Sequence, residues 1–311
     1  MEDDAINEEV PNVKTKEQKR LEGRRRALEM AIAKQSKEKS ITQNDTREGN
    51  KRRGNRKSDR HGARNQHRHK HFVKWILEKF PHVAKECSVT EEASSTNYHV
   101  LDVAGGKGEL SARLALCHSL RVVMIDPRQA DVASVYLNSV VPKLPKKWQH
   151  SLEERLKHTP TFVEDELDKR FRQLVTHFSI ASDSICCDDG GDVVNDDRML
   201  FEDEALEEAV RNASLIIGLH ADGATEAIVD AALRYDKPFV IVPCCVFPNL
   251  FRHRFIYVND DASDGDEKKK VAVRTHEQFC QYLLDKDERF QQEILPFEGR
   301  NVAIYFQGVM K

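Results

Sequence analysis

One stretch constrains this chain more than any other: an apolar run that ends on an acid and then turns through three closely spaced glycines. It reads Val100-Leu101-Asp102-Val103-Ala104-Gly105-Gly106-Lys107-Gly108-Glu109-Leu110-Ser111. The run from His99 to Val103 predicts a buried strand. Leu110, Leu114 and Cys117, spaced i, i+4, i+7, predict a helix behind it. Gly105, Gly106 and Gly108 leave the turn between them without Cβ atoms, so a ligand can approach the backbone and φ can become positive. Amide groups at the start of the following helix favour a carboxylate or a phosphate.

Two ligand classes compete for such a turn. A dinucleotide loop follows G-x-G-x-x-G. Started at Gly106, that pattern gives Gly106, Gly108 and then Ser111, so the third glycine is missing. The S-adenosylmethionine loop is an acid followed by alternating small residues, and Asp102, Ala104, Gly106 and Gly108 resemble it, with alanine at the first glycine position. Val122 to Ile125 predicts a second strand, and Asp126 ends it 18 residues after Gly108. An acid at that place can accept both hydroxyls of a ribose. Glycine-rich turns also serve as plain connections, and the second acid is what weighs against that reading here.

Charge is divided unevenly along the 311 residues. The net charge of −3 hides 20 Lys+Arg against 12 Asp+Glu in residues 1–70, and an excess of acids beyond them. Residues 1–70 are expected to form a basic, largely disordered N-terminal arm, most clearly over 46–70, which hold ten basic and two acidic residues and almost nothing apolar. Within it, Lys51-Arg52-Arg53-Gly54-Asn55-Arg56-Lys57 suits nuclear targeting or RNA contact, or is a solvated tail. Residues 1–10 are acidic, without the apolar core of a secretory signal, and the longest apolar run, Phe239 to Phe247, is too short to span a bilayer. A cytoplasmic or nuclear setting and no membrane partner are expected. Seven cysteines, with adjacent pairs at Cys186-Cys187 and Cys244-Cys245, do not make a disulfide framework. No metal site is read from sequence: Cys186-Cys187 lacks ligand spacing, and His61, His67, His69 and His71 are irregular.

Residues 71–311, expected to form one domain, alternate strand and helix signals. A short amphipathic helix carries Phe72, Val73, Ile76, Leu77 and Phe80 and stops at Pro81, followed by a polar linker over 86–97. A helix is predicted over 129–140. Thr161-Phe162-Val163 is the candidate third strand, with a helix over 165–178 behind it. An acidic insert near 183–204 reads as an exposed loop. Ser214 to Leu219 and Pro238 to Val242 predict buried strands flanking a helix over 224–235, a pairing that argues for a parallel sheet. A polar insert near 260–270 precedes Thr275-x-x-Gln278, a capping box opening a helix to Leu284. Residues 290–295 and 301–307 predict a closing antiparallel hairpin. The expected fold is therefore α/β: a Rossmann-like doubly wound sheet of about seven strands, helices on both faces, ending in an antiparallel hairpin.

Three segments together resemble a known group. They are Gly106-Lys107-Gly108-Glu109-Leu110-Ser111, Gly218-Leu219-His220-Ala221-Asp222-Gly223-Ala224-Thr225, and Val242-Pro243-Cys244-Cys245. They are similar to class I, seven-stranded S-adenosylmethionine-dependent methyltransferase-like proteins with G-K-G-x-L-S, G-L-H-x-C-G-type and Cys-Cys motifs after the first, fourth and fifth strands. The eukaryotic tRNA acceptor-stem 2′-O-methyltransferase resembles the chain more distantly. Two departures stand out: Asp222 replaces the usual cysteine, and the tRNA enzyme's zinc-finger modules are not seen.

The resemblance implies S-adenosyl-L-methionine as cofactor, with RNA or protein as methyl acceptor. Asp102, Ala104, Gly105, Gly106, Gly108 and Asp126 are then the expected cofactor-binding residues, Asp102 for the methionine ammonium and Asp126 for the ribose. His220, Asp222 and Cys244 are the candidate catalytic residues. His220 can orient or deprotonate an acceptor or close the turn. Cys244 can be a nucleophile or small packing under the cofactor. Phe247 and Phe251 can stack on a base or pack in the core, and Arg252, His253 and Arg254 can touch a phosphate or face water. A catalytically silent RNA- or protein-binding module remains the alternative, and an NAD-dependent oxidoreductase is disfavoured by Ser111 and the closing hairpin. Oligomeric state is left open.

Overall fold

The computed structural model describes residues 67–88, 98–180, 200–259 and 268–308. At its centre lies β1 (His99–Val103), all five residues buried. A strand covered on both faces belongs in the middle of a parallel sheet. β2 (Val122–Ile125), β3 (Phe171–Leu174), β4 (Ala213–Leu219) and β5 (Phe239–Val242) run parallel with it. β8 (Gln291–Ile294) and β9 (Val302–Phe306) form the closing hairpin, with β9 antiparallel to β5. The order is β3-β2-β1-β4-β5-β9-β8. The Rossmann-like, seven-stranded arrangement expected from the sequence is the one observed.

Alternate residues along each strand feed two cores, as the period-two side-chain geometry requires. Val100, Val122, Leu215 and Val240 face one layer, built by α1 (Arg68–Lys79), α2 (Pro81–Glu86), α3 (Glu109–Ala112, continued by a π-turn over Arg113–Cys117) and α4 (Val132–Val135, continued by a π-turn over Tyr136–Val140). α5 (Lys146–His158) and α6 (Phe162–Arg170) complete that layer. Leu101, Val123, Ile216 and Ile241 face the other, built by α7 (Glu204–Arg211), α8 (Thr225–Arg234) and α9 (His276–Leu284). The predicted capping box at Thr275 and Gln278 is present. Trp75 of α1 donates from Nε1 to Glu293 at 3.0 Å and meets the Tyr305 ring edge-on, so α1 is held on the hairpin side of the sheet.

The chain runs outward from β1 to β3, then returns to place β4 on the other side of β1. That reversal opens a crevice at the carboxyl ends of β1 and β4. Register sets Asp102 level with Met124 and Ile217, and Leu219 level with Val242. The turns after β1, β2, β4 and β5 therefore share one edge.

Several expectations change. Thr161-Phe162-Val163 is not the third strand; Phe162 and Val163 open α6, and β3 follows directly at Phe171. Glu164 and Asp165 in the first turn and Lys169 and Arg170 in the last complement the helix dipole, which fixes α6 where it is. Phe171 and Leu174, read as one face of a helix, sit half-buried in an edge strand. Pro81 does not simply stop a helix; it occupies the first turn of α2. Leu200 and Phe201, expected in an exposed loop, are buried, their amides donating to Glu207 Oε2 at 3.0 and 3.2 Å. Lys268 to Lys270, expected in a polar insert, belong to β7 (Lys268–Ala272), which pairs antiparallel with β6 (Phe255–Asn259) as a separate two-stranded sheet. Arg68 to Lys70 lie in α1 rather than in the arm. The arm over 1–66, most of the acidic insert and Cys186-Cys187 lie outside the described residues. Within Asn249–Arg252, Arg252 Nε donates to the Asn249 carbonyl at 3.3 Å. Among the described residues, no helix is long and apolar enough to cross a membrane.

Candidate active site

The turn after β1 is folded tightly against β2. A Cβ on Gly105 would lie 2.5 Å from Met124 Cγ and 3.1 Å from Asp102 Oδ2, so this position admits no side chain without a shift of its neighbours. Gly106 is the opposite case: φ is +63° and nothing lies within 4 Å of where its Cβ would be. Its backbone is bare towards open space. Gly108 forms the N-cap of α3, and Ala104 adopts φ +55°, a left-handed conformation rare for a residue with a Cβ.

The two acids have different surroundings. Asp102 is 1% exposed, and Ser111 Oγ donates to its Oδ2 at 2.6 Å. Burial pushes its carboxyl up to about 7, with the nearby Asp126 charge adding to the shift and the Ser111 hydrogen bond opposing it. Asp102 thus lies beneath the glycine turn. Asp126, at the end of β2, is 2% exposed and is held by different donors. Its Oδ2 accepts the Gly106 amide at 2.9 Å, and its Oδ1 accepts the Arg128 amide at 3.0 Å. The Arg128 guanidinium closes on the same carboxylate, with Nε 3.0 Å from Oδ1, while its own side chain is 76% exposed. That hydrogen bond, and then the Asp126 and Asp222 charges, raise the Arg128 pKa.

At the ends of β4 and β5 a second cluster forms. His220 and Asp222 have φ of +60° and +50°. The His220 amide donates to the Val242 carbonyl at 3.1 Å, which ties the two turns together. Cys244 Sγ donates to Asp222 Oδ1 at 3.0 Å and lies 3.5 Å from Cys245 Sγ. The contact with Cys245, burial and the Asp222 charge all push the Cys244 thiol well above its ordinary range. A thiol held protonated is a poor nucleophile and a poor metal ligand until its proton leaves, so either role for Cys244 requires a base or an ion that displaces that proton.

Ala104, His220, Asp222 and Phe247 are four of the six non-glycine residues with positive φ among those described, and all four follow strands at this edge. Such conformations cost about 1–3 kcal/mol each and cluster where function fixes the backbone. The structure brings the predicted residues to one rim in two groups: Asp102, Gly105, Gly106 and Asp126, and then His220, Asp222 and Cys244.

Sequence reasoning missed the supports. Glu109, read only as a letter of the loop motif, binds Arg113 at 3.1 Å, Lys143 at 3.2 Å and His69 of α1 at 3.3 Å. Although burial opposes it, these partners bring its carboxyl down to about 2. Arg254, left between a phosphate contact and a surface role, is neither. It is 2% exposed and donates from Nε to Glu226 of α8 at 2.7 Å. Lys286, His253 and Tyr282 reach the same carboxylate. Burial opposes ionisation, but these donors hold Glu226 well below the usual range. A buried arginine has no hydrophobic periodicity to reveal it.

No protein-family model matches the chain, and no curated protein matches it. Among solved structures, an rRNA methylase from Streptococcus thermophilus aligns over 76% of this chain and 97% of its own, at 12% identity and a TM-score of 0.30. The Burkholderia thailandensis 1,6-didemethyltoxoflavin-N1-methyltransferase, solved with S-adenosylhomocysteine, aligns over 77% and 81% at 12% identity and a TM-score of 0.27. A Corynebacterium glutamicum protein aligns over 74% and 80%, at 12% and 0.29.

Proposed function

We propose that the chain is an S-adenosylmethionine-dependent methyltransferase whose acceptor is RNA. One observation carries the reading: Asp126, at the end of β2 in a seven-stranded sheet, accepts the amide of Gly106, whose own outer side is bare. A nucleoside with two free hydroxyls fits an acid at that place, and an unfilled Gly106 leaves room for the chain that follows the ribose. The donor would supply a methyl group on a positively charged sulfur, to be displaced in line by the acceptor.

Each residue then has a limited task. Gly105 keeps the turn pressed on β2, and Gly106 leaves its outer side open. Asp126 accepts the ribose, in competition with Arg128. Asp102, sealed under the turn and bonded to Ser111, fixes the turn's shape; a contact to the methionine ammonium would run through water. His220 and Asp222 orient the acceptor, and one of them takes its proton when the acceptor is an alcohol or a protonated nitrogen. The gain from alignment and exclusion of water is the larger part of such catalysis. RNA is favoured over protein by the basic residues 46–70.

A second reading, a silent module that keeps the fold and binds RNA or protein, is favoured by the Arg128 guanidinium already bonded to Asp126. Transfer of labelled methyl to total RNA and total protein, compared with an Asp126→Ala variant, separates the two. Incorporation into RNA that the variant loses supports the enzyme; cofactor binding without any incorporation supports the module. Deletion of residues 1–66 tests the arm. Unchanged RNA affinity and salt dependence would remove it as an RNA contact.

A further inference from the structure

We propose that Asp222, Cys244 and Cys245 form a site for a soft divalent cation, with zinc as the matching ion. The three donors come from two turns 22 residues apart in sequence, placed side by side because β4 and β5 pair in parallel with Leu219 opposite Val242. One ligand atom from each lies within 4.8 Å of the others, and all three residues are half-buried. Two sulfurs and a carboxylate oxygen form a donor set that suits zinc rather than magnesium or calcium, which take all-oxygen shells.

The distances can be compared with what such an ion requires. At Zn–S of about 2.3 Å and Zn–O of about 2.0 Å, a tetrahedral ion holds its sulfurs about 3.8 Å apart and a sulfur and an oxygen about 3.5 Å apart. The observed separations are 3.5 Å for the two sulfurs and 3.0 Å for Cys244 Sγ to Asp222 Oδ1. Opening these two by no more than about half an ångström, with the Asp222 oxygen and Cys245 Sγ, which lie within 4.8 Å, brought to the same spacing, admits the ion. A disulfide between the same sulfurs needs them about 2.05 Å apart, a larger change and in the opposite direction.

Three protein donors leave a fourth tetrahedral position for water or for the acceptor, the arrangement of open zinc sites rather than closed structural ones. That last step rests on the transferase reading; the ion site itself does not.

The test uses the full chain, reduced and stripped with a chelator. Zinc is titrated against a chromophoric competitor, and cobalt is added as a spectroscopic probe. The expected result is one ion per chain, a thiolate-to-cobalt charge-transfer band, and protection of two thiols from alkylation. Cys245→Ser should lose about half of the band at saturating cobalt and weaken binding by at least about 100-fold, beyond the loss expected from a supporting group. Cys117→Ser and the double variant Cys186→Ser, Cys187→Ser should keep both. Should Cys245→Ser fail to fold, the alkylation pattern of the unsubstituted chain decides. Absence of a stoichiometric ion, an ion bound without thiol protection, or a Cys244–Cys245 disulfide that re-forms in the presence of zinc overturns the proposal. S-adenosylmethionine affinity, measured in parallel, shows whether the transferase reading stands or falls separately.

Discussion

The Gly106 amide donates to Asp126 Oδ2 at 2.9 Å, which fastens the turn after β1 to the end of β2. Arg128 holds the same carboxylate from the solvent side. Asp126 is buried but Arg128 is 76% exposed, so solvent screens the pair and it is worth about 1 kcal/mol. If the ribose must displace it, Arg128→Ala should tighten S-adenosylmethionine binding by up to about fivefold in calorimetry. Weaker binding would make Arg128 a contact of the cofactor instead.

Gly105 and Gly106 should fail in different ways. Gly105→Ala drives a methyl group into the Met124 side chain and should cost about 1–3 kcal/mol in denaturant unfolding, the range for overpacking. Gly106→Ala meets nothing, and its penalty is the left-handed backbone, about 1–2 kcal/mol. Its larger effect should fall on cofactor affinity, because the new methyl group enters the crevice. Equal loss of affinity in the two variants at equal loss of stability would contradict this division.

Asp102 gives a pH dependence with a definite sign. Its carboxyl is raised from 3.8 in the unfolded chain to about 7 in the fold, so the folded state holds the proton more tightly. Its contribution to stability is complete below about pH 4 and is lost as the pH rises through 7. Asp102→Asn removes that slope. Relative to the variant, the unsubstituted protein should lose on the order of 4 kcal/mol at most between pH 4 and pH 8. A stability difference that stays flat with pH would refute the buried, protonated acid.

Glu226 has the opposite sign. Held ionised by Arg254, Lys286, His253 and Tyr282, it contributes stability above its unfolded value of 4.5 that is lost as the pH falls. Glu226→Ala leaves the buried Arg254 guanidinium without its carboxylate and should cost about 3–5 kcal/mol. The loss should be smaller when Arg254→Met is combined with it. A double variant as unstable as the sum of the singles would contradict the coupling.

The sequence displayed the central strands and the hairpin because continuous apolar runs at His99–Val103, Ala213–Leu219 and Phe239–Val242 have few alternatives. The glycine turn and Asp126 were legible for the same local reason. What escaped was non-local. β3 carries only half-buried residues on an edge, so its spacing imitated a helix. α5 buries Leu152 as its one fully enclosed residue and gave little periodicity to read. Arg254 and Glu226, 28 residues apart, meet only once α8 and the segment before β6 are packed. The closeness of Asp222 to Cys244 and Cys245 follows from strand pairing, so ligand spacing along the chain could not announce it.

Calorimetric titration of the full chain with S-adenosylmethionine and with NAD, repeated on Asp126→Ala, tests the central claim most directly. The account predicts one S-adenosylmethionine per chain, no NAD binding, and a loss of roughly 10–100-fold in affinity in the variant, as expected for hydrogen bonds to a charged group. Binding of NAD alone, or S-adenosylmethionine affinity indifferent to Asp126, would contradict it.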